Sequence, residues 1–391
     1  MKGIKMRSRK NKLHLFLIIA VMAVLIFSCS KKQIGNIQIT KENGVTIVSN
    51  PVQPLFPRAK LIYEEELSIG QEEGDTNFVL YRVTSVRADE EGNIFVMNSG
   101  SYQVRVFDKN GKFIRAFGKK GQGPGEFVSN FLQFDTDGRG NVYVSDFQTR
   151  RIEKFSPEGE LLQELNLKEK FPRTFSVTQN GDVCCSFPDY EKSSKERRVL
   201  FQRIDFTGKV LTDFGTVPDF KMKPIRSGKQ SVIIMTGMER GPEWEYDKNG
   251  FFYFGTKDKY EISVSSPENR LLRIIRHKWT PIKVTSADKE KIRESYKNFP
   301  MDVSDKIEIP DEKQSFEKFF IDDRQYFWIK SPVRFGTEGS TFDVFNPEGK
   351  YFYRVNLPFK PSYIKNGKIY THESNEDGVE IVKRYGYRWE K

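Results

Sequence analysis

Residues 83–165 contain one sequence unit written twice, and that repeat limits the folds open to the chain more than any other feature. Residues 83–96 (Val-Thr-Ser-Val-Arg-Ala-Asp-Glu-Glu-Gly-Asn-Ile-Phe-Val) align with residues 131–144 (Phe-Leu-Gln-Phe-Asp-Thr-Asp-Gly-Arg-Gly-Asn-Val-Tyr-Val) at an offset of 48 residues. The offset holds without a gap through Val106-Phe107 and Lys154-Phe155, and on to Gly111 and Gly159. Each unit reads apolar strand, Asp/Asn-Gly turn, second strand, polar link, third strand, second Gly turn and fourth strand. Glycine suits those turns because tight hairpins need positive φ, which is cheap only without a Cβ. The two turn positions lie 19 residues apart at Gly92/Gly111, Gly140/Gly159 and Gly250/Asn269.

A fixed period in the forties with four short strands per unit predicts an all-β protein, a β-propeller built of four-stranded antiparallel blades. The third unit starts near Phe175, turns at Asn180-Gly181 and takes a charged loop insertion at 191–198. For the fourth, an inner strand is expected at 231–235, with a turn at Lys248-Asn249-Gly250. Between 281 and 310 the period changes. Ile292, Tyr296 and Phe299 share a helical face, and Thr285 with Asp288 forms a capping-box pattern, so one short helix is expected at about 285–299. The fifth unit runs from Phe316 to Leu357, and the last ends near Trp389 one strand short. A closed ring leaves no long sheet edge open, so residues 61–67 are expected to supply the missing outer strand. The count is six blades, or seven if residues 51–69 hold a fuller unit.

The formal charge of +11 invites a nucleic-acid reading until it is localised. Six basic residues and no acids lie in residues 1–28; removing them leaves 58 basic against 53 acidic residues, a net of +5. So mild and dispersed a surplus concerns solubility, and no nucleic-acid partner is expected. The basic start is followed by an apolar run at 13–27, too short to span a bilayer comfortably, and then by Ser28-Cys29-Ser30. That order reads as a signal peptide over residues 1–28. A tether, with an initial strand or two, follows over 29–58, and the propeller occupies 59–391.

Two resemblances follow from these residues. Phe27-Ser28-Cys29 behind the apolar run resembles a bacterial lipobox, with Phe27 bulkier than is usual there. This implies lipidation of Cys29 and an envelope protein held at the outer membrane, periplasmic or surface-facing; more than one acyl chain anchors durably. Residues 138–146, Arg150-Arg151-Ile152-Glu153-Lys154-Phe155 and Glu158-Gly159 resemble the NHL repeat, as does the lead-in at 121–127. Together with Tyr260-Glu261-Ile262 and the inserted helix, they are similar to the six-bladed β-propeller lipoproteins. The resemblance implies little about activity, but a propeller presents loops on a rigid disc, so a binding or scaffolding module for a protein, small molecule or glycan is expected. The alternative it carries is a metal-dependent hydrolase or lyase of the lactonase or NHL-lyase kind, with its site at the channel mouth.

The residues themselves give those chemistries little support. A zinc site of the lyase kind wants three imidazoles or two plus a carboxylate, and beyond residue 28 the histidines are His277 and His372, both expected at surface or turn positions. Calcium is the one cofactor left open, through Asp89, Asp135, Asp137, Asp322 and Asp323, although each is expected to serve its own turn backbone. Cys184 and Cys185 are adjacent on a strand, point to opposite faces and are expected as free buried thiols. The loop 118–125 has two lysines among its glycines but neither the Gly-Lys-Ser/Thr ending nor a following helix, so it is no phosphate loop. As a blade-to-blade connection it is the expected binding element. Lys119, Lys120, Gln122, Arg150 and Tyr260 are the candidate ligand contacts, and Tyr102 and Arg334 further face residues. Asp146 and Arg150 or Arg151 are expected to brace hairpins.

Overall fold

The computed structural model describes residues 32–34, 36–189, 197–220, 224–227, 230–299, 303–333 and 337–390. Six four-stranded antiparallel blades form the body. Blade 1 spans Val83–Ala88 to Phe113–Phe117, blade 2 Gln133–Thr136 to Leu161–Asn166, and blade 3 Thr174–Val177 to Val210–Pro218. Blade 4 spans Pro242–Tyr246 to Leu271–His277 and blade 5 Lys318–Ile321 to Tyr351–Leu357. Blade 6 takes Tyr363–Lys365, Lys368–Ser374 and Glu380–Glu390 from the end of the chain and Lys60–Ile69 from its beginning. The register runs from Val382 opposite Ile69 to Glu390 opposite Lys60, so the early strand closes the ring as expected.

The tight turns work by the chemistry read from the repeat. In blades 1, 2, 4 and 5, the carboxylates of Asp89, Asp137, Asp247 and Asp322 each accept backbone N–H groups two and four residues on. Three of these aspartates also take a donor six residues on: Tyr143 Oη at 3.0 Å, Tyr253 Oη at 2.9 Å and Trp328 Nε1 at 3.0 Å. Gly92 and Gly140 sit at φ +88° and +78°, as the turns require. Between blades, apolar side chains from facing sheets make the core, with Phe107, Phe127, Phe201, Phe316, Trp328 and Phe345 fully buried. Each such side chain contributes about 1.5–3 kcal/mol.

Because the strands alternate in direction, the disc has two unlike faces. Tight turns occupy one, here the turn face; blade-to-blade connections and the loops between second and third strands occupy the other, the connection face. The connections after blades 3 and 4 carry the insertions, a two-stranded hairpin (Pro224–Ser227 with Gln230–Ile233) and the helix Ser286–Ser295. Thr285 and Asp288 complete the capping box reciprocally. Met238, Val284, Ile292 and Ile307 form a small core of their own beneath these insertions.

Two expectations are corrected. The inner strand of blade 4 is Pro242–Tyr246, and residues 231–233 belong instead to the inserted hairpin. Trp244 and Tyr246 pack toward Phe201 of blade 3, while Glu243 and Glu245 alternate with them. Carboxylates at every second position disguised a strand that borders the axis. His277 is also no surface residue: it lies 8% exposed at the end of the outer strand of blade 4.

Within the expected tether, Ile37–Glu42 and Val45–Asn50 form a hairpin whose second strand lies parallel to the outer strand of blade 4, Thr46 opposite Arg273. Asn50, 2% exposed, then bolts blade 4 to blade 5. Its Nδ2 donates to the Arg276 and Gly349 carbonyls and its Oδ1 accepts from Tyr351 N–H at 2.8 Å. Leu55 and Phe56 donate to the Tyr351 and Phe352 carbonyls before the chain reaches blade 6, so residues 37–69 strap half the rim. Cys29, residues 191–196 of the expected insertion at 191–198, and Arg334 lie outside the described residues. Among the described residues no helix is long and apolar enough to cross a membrane.

Candidate functional site

The connection face holds a cavity of about 1050 Å³ between the inserted hairpin, blades 3 and 4, and residues 306–310. Its walls are chiefly apolar, with Ile225, Ile233, Met235, Met238, Phe254 and Ile307 among them. Several polar groups on its border serve the walls. Asp219 is held by Arg173 at 2.7 Å, Glu239 accepts from Thr236 N–H and Oγ1, and Arg240 donates to the Glu312 and Lys313 carbonyls. Ile233 and Met235 remain 44% and 51% exposed at the rim. A concave, mainly apolar space of this size with a few polar groups is the usual form of a small-molecule site.

A charged network fills the axis toward the turn face. Asp135, its side chain 4% exposed, takes Arg87 Nε of blade 1 at 2.8 Å, Lys248 Nζ of blade 4 at 2.7 Å and Val177 N–H of blade 3 at 2.8 Å. Lys248 Nζ donates further to the Thr136 and Val177 carbonyls. Burial alone would raise the Asp135 carboxyl, but Lys248 and Arg87 outweigh it and hold the group at about 2. Glu245 faces the same cluster; among the described residues it has no ion pair and accepts the Tyr246 N–H. Burial pushes its carboxyl up to about 7, against a smaller opposing pull from Arg87. Toward the connection face Glu243 pairs with Lys257 at 2.8 Å.

The expected contacts do not converge. Lys119 pairs with Glu126, Lys120 lies over the Tyr102 ring and Gln122 is exposed, all on one connection loop. Arg150, at φ +55°, donates to the Lys168 carbonyl nearby, and Arg151 braces the loop through the Gly123 and Glu126 carbonyls. Asp146 braces it too, accepting from Val128 and Ser129 N–H. Tyr260 sits apart between blades 4 and 5, buried and donating to Asp343 at 2.7 Å. Tyr81, Phe131 and Phe147, also on blades 1 and 2, are exposed.

Of the five aspartates considered for calcium, Asp89, Asp137 and Asp322 serve their turns. Asp323 accepts from Asn366 N–H of blade 6, and Asp135 is the axial hub instead of a turn residue. Among the described residues no three His, Cys, Asp or Glu side chains group to hold a metal ion. His277, which burial lowers to about 4, and His372, whose Nδ1 meets Ser362 Oγ at 2.9 Å, stand in different blades. Cys184 and Cys185 are free and buried.

Sequence reasoning missed Arg87, Glu245 and Lys248, and the apolar cavity. The only signal was the pair of glutamates alternating with aromatics at 243–246.

A family model described as 6-bladed beta-propeller (DUF5128) matches residues 74–238. No curated protein matches the chain by sequence. Among solved structures, a Bacteroides fragilis protein described as exported is 14% identical with TM-score 0.51, over 88% of this chain and all of that one. A Bacteroides vulgatus protein of the DUF4221 family is 12% identical with TM-score 0.48, over 85% of this chain and 99% of that one. Staphylococcus aureus virginiamycin B lyase, with quinupristin, is 10% identical with TM-score 0.40, over 84% and 99% of the two chains. At such identities likeness speaks to fold alone, and on that point sheet order and family model agree: the chain is a six-bladed β-propeller.

Proposed function

We propose that the protein is an extracytoplasmic binding module that holds a small apolar or amphipathic molecule on its connection face and is anchored to the envelope through lipidated Cys29. The observation that carries the binding reading is the cavity of about 1050 Å³ walled by the inserted hairpin and residues 306–310. Enclosing apolar surface removes it from water at roughly 25 cal/mol per Å², so a ligand matched to these walls gains affinity without ion pairs. The address is supported by the basic start, the apolar run at 13–27 and the cysteine that ends it. It also agrees with the exported Bacteroides fragilis neighbour.

The test uses an apolar fluorescent probe and the rim variants Ile233→Glu and Met235→Glu, both at exposed positions whose change leaves the blades intact. Saturable probe binding that weakens about tenfold in either variant is expected, since one buried side chain contributes about 1.5–3 kcal/mol. Probe binding equal in wild type and both variants would refute it.

A further inference from the structure

A second cavity, of about 450 Å³, opens on the connection face where blades 4 and 5 meet the rim strap. Its floor is organised by Asp343, whose side chain is fully buried. Asp343 accepts from Tyr260 Oη at 2.7 Å, Tyr351 Oη at 2.6 Å, Ser331 Oγ at 2.5 Å, and Arg354 through Nε at 2.8 Å and Nη2 at 3.2 Å. The carboxylate is saturated, and its geometry fixes the guanidinium of Arg354 in place. The Arg354 side chain stays half exposed at 51%, and its Nη1 makes no hydrogen bond among the described residues.

Among the described residues, the two charged side chains that line the cavity, Arg354 and Lys278, are both cations, and Asp343 lies behind Arg354. Trp279 adds an aromatic wall, and Thr280 and Thr337 place hydroxyls at the exposed rim. His277 also lines the space. It is 8% exposed, yet among the described residues its Nδ1 has no hydrogen-bond partner, which is unusual for a buried polar atom. A prearranged guanidinium with free donors beside a second cation suits an oxyanion.

We propose that this cavity binds a small molecule carrying an oxyanion, a carboxylate or a phosphate, with Arg354 and Lys278 holding the anionic group and Trp279 contacting the body. The site is independent of the apolar cavity between blades 3 and 4.

The probes are inorganic phosphate and benzoate, each titrated into the protein at low salt while tryptophan fluorescence and the thermal midpoint are followed. A saturable response to at least one is expected, and the responding probe identifies the headgroup chemistry. Removing Arg354 alone would strip Asp343 of its counter-ion, so the key variant is the double replacement Asp343→Asn with Arg354→Gln, which leaves no charge unpaired. It should bind about 10- to 100-fold more weakly, the worth of one charge-assisted hydrogen bond. The exposed Lys278→Ala, which leaves the floor intact, should weaken binding about two- to fivefold. No saturable response in the wild type, or wild-type affinity in the double variant, would overturn the proposal.

Discussion

Glu245→Gln should stabilise the protein at alkaline pH and leave it almost unchanged in acid. Among the described residues the Glu245 carboxyl has no ion-pair partner, and Arg87, the cation that pulls against its rise, is committed to Asp135. Burial raises it from 4.5 to about 7. A raised folded-state value means that its favourable contribution is complete below pH 4.5, where both states hold the proton, and is lost as pH rises through 7. The full shift corresponds to roughly 3 kcal/mol above pH 7. Glu245 is only partly shielded from solvent, so about 1–3 kcal/mol is the working figure. Glutamine keeps the oxygen that accepts the Tyr246 N–H at 3.2 Å and removes the charge. Denaturant unfolding of wild type and variant, at a pH below 4.5 and again above 7, is the assay. The variant should gain in the alkaline series and match wild type in the acidic one. Equal stability in both series, or a loss at alkaline pH, would refute the placement of an uncompensated carboxylate at the axis.

Asn50→Ala should cost about 3 kcal/mol by urea unfolding, because it leaves the Tyr351 N–H and two carbonyls unsatisfied where the strap joins blades 4 and 5; a loss below about 0.5 kcal/mol would contradict the bolt. Burial pushes both the Cys184 and Cys185 thiols upward, so a thiol reagent should label neither in the native protein and both after denaturation. Cys29→Ala should abolish membrane association of the processed protein in fractionated cells; continued retention of a cleaved form would contradict lipid anchoring.

The parts of this fold legible in the sequence are those whose chemistry is local. Asp89 and Asp137 accept N–H groups within their own turns, so the Asp-Gly spacing reported blades 1 and 2 directly. The helix was legible because Thr285 and Asp288 cap each other across one turn. Closure by the early strand followed from counting strands. What stayed hidden depends on distance. Lys248 looks like a turn lysine, but its amine reaches Asp135 across 113 residues of chain. Glu243 and Glu245 broke the apolar alternation that marks a strand, since the axis gives an inner strand a polar border. The rim strap pairs in parallel with a strand more than two hundred residues away, which no local pattern encodes. Both cavities are walled by irregular connections, and their lining became visible only once the insertions were packed.

The most direct measurement is a crystal structure of the protein purified from its own membrane fraction, with attention to the space between the hairpin 224–233 and residues 306–310. The account expects density for a bound apolar molecule against Ile233, Met235 and Ile307. The cavity closed and filled by the protein's own side chains would contradict it.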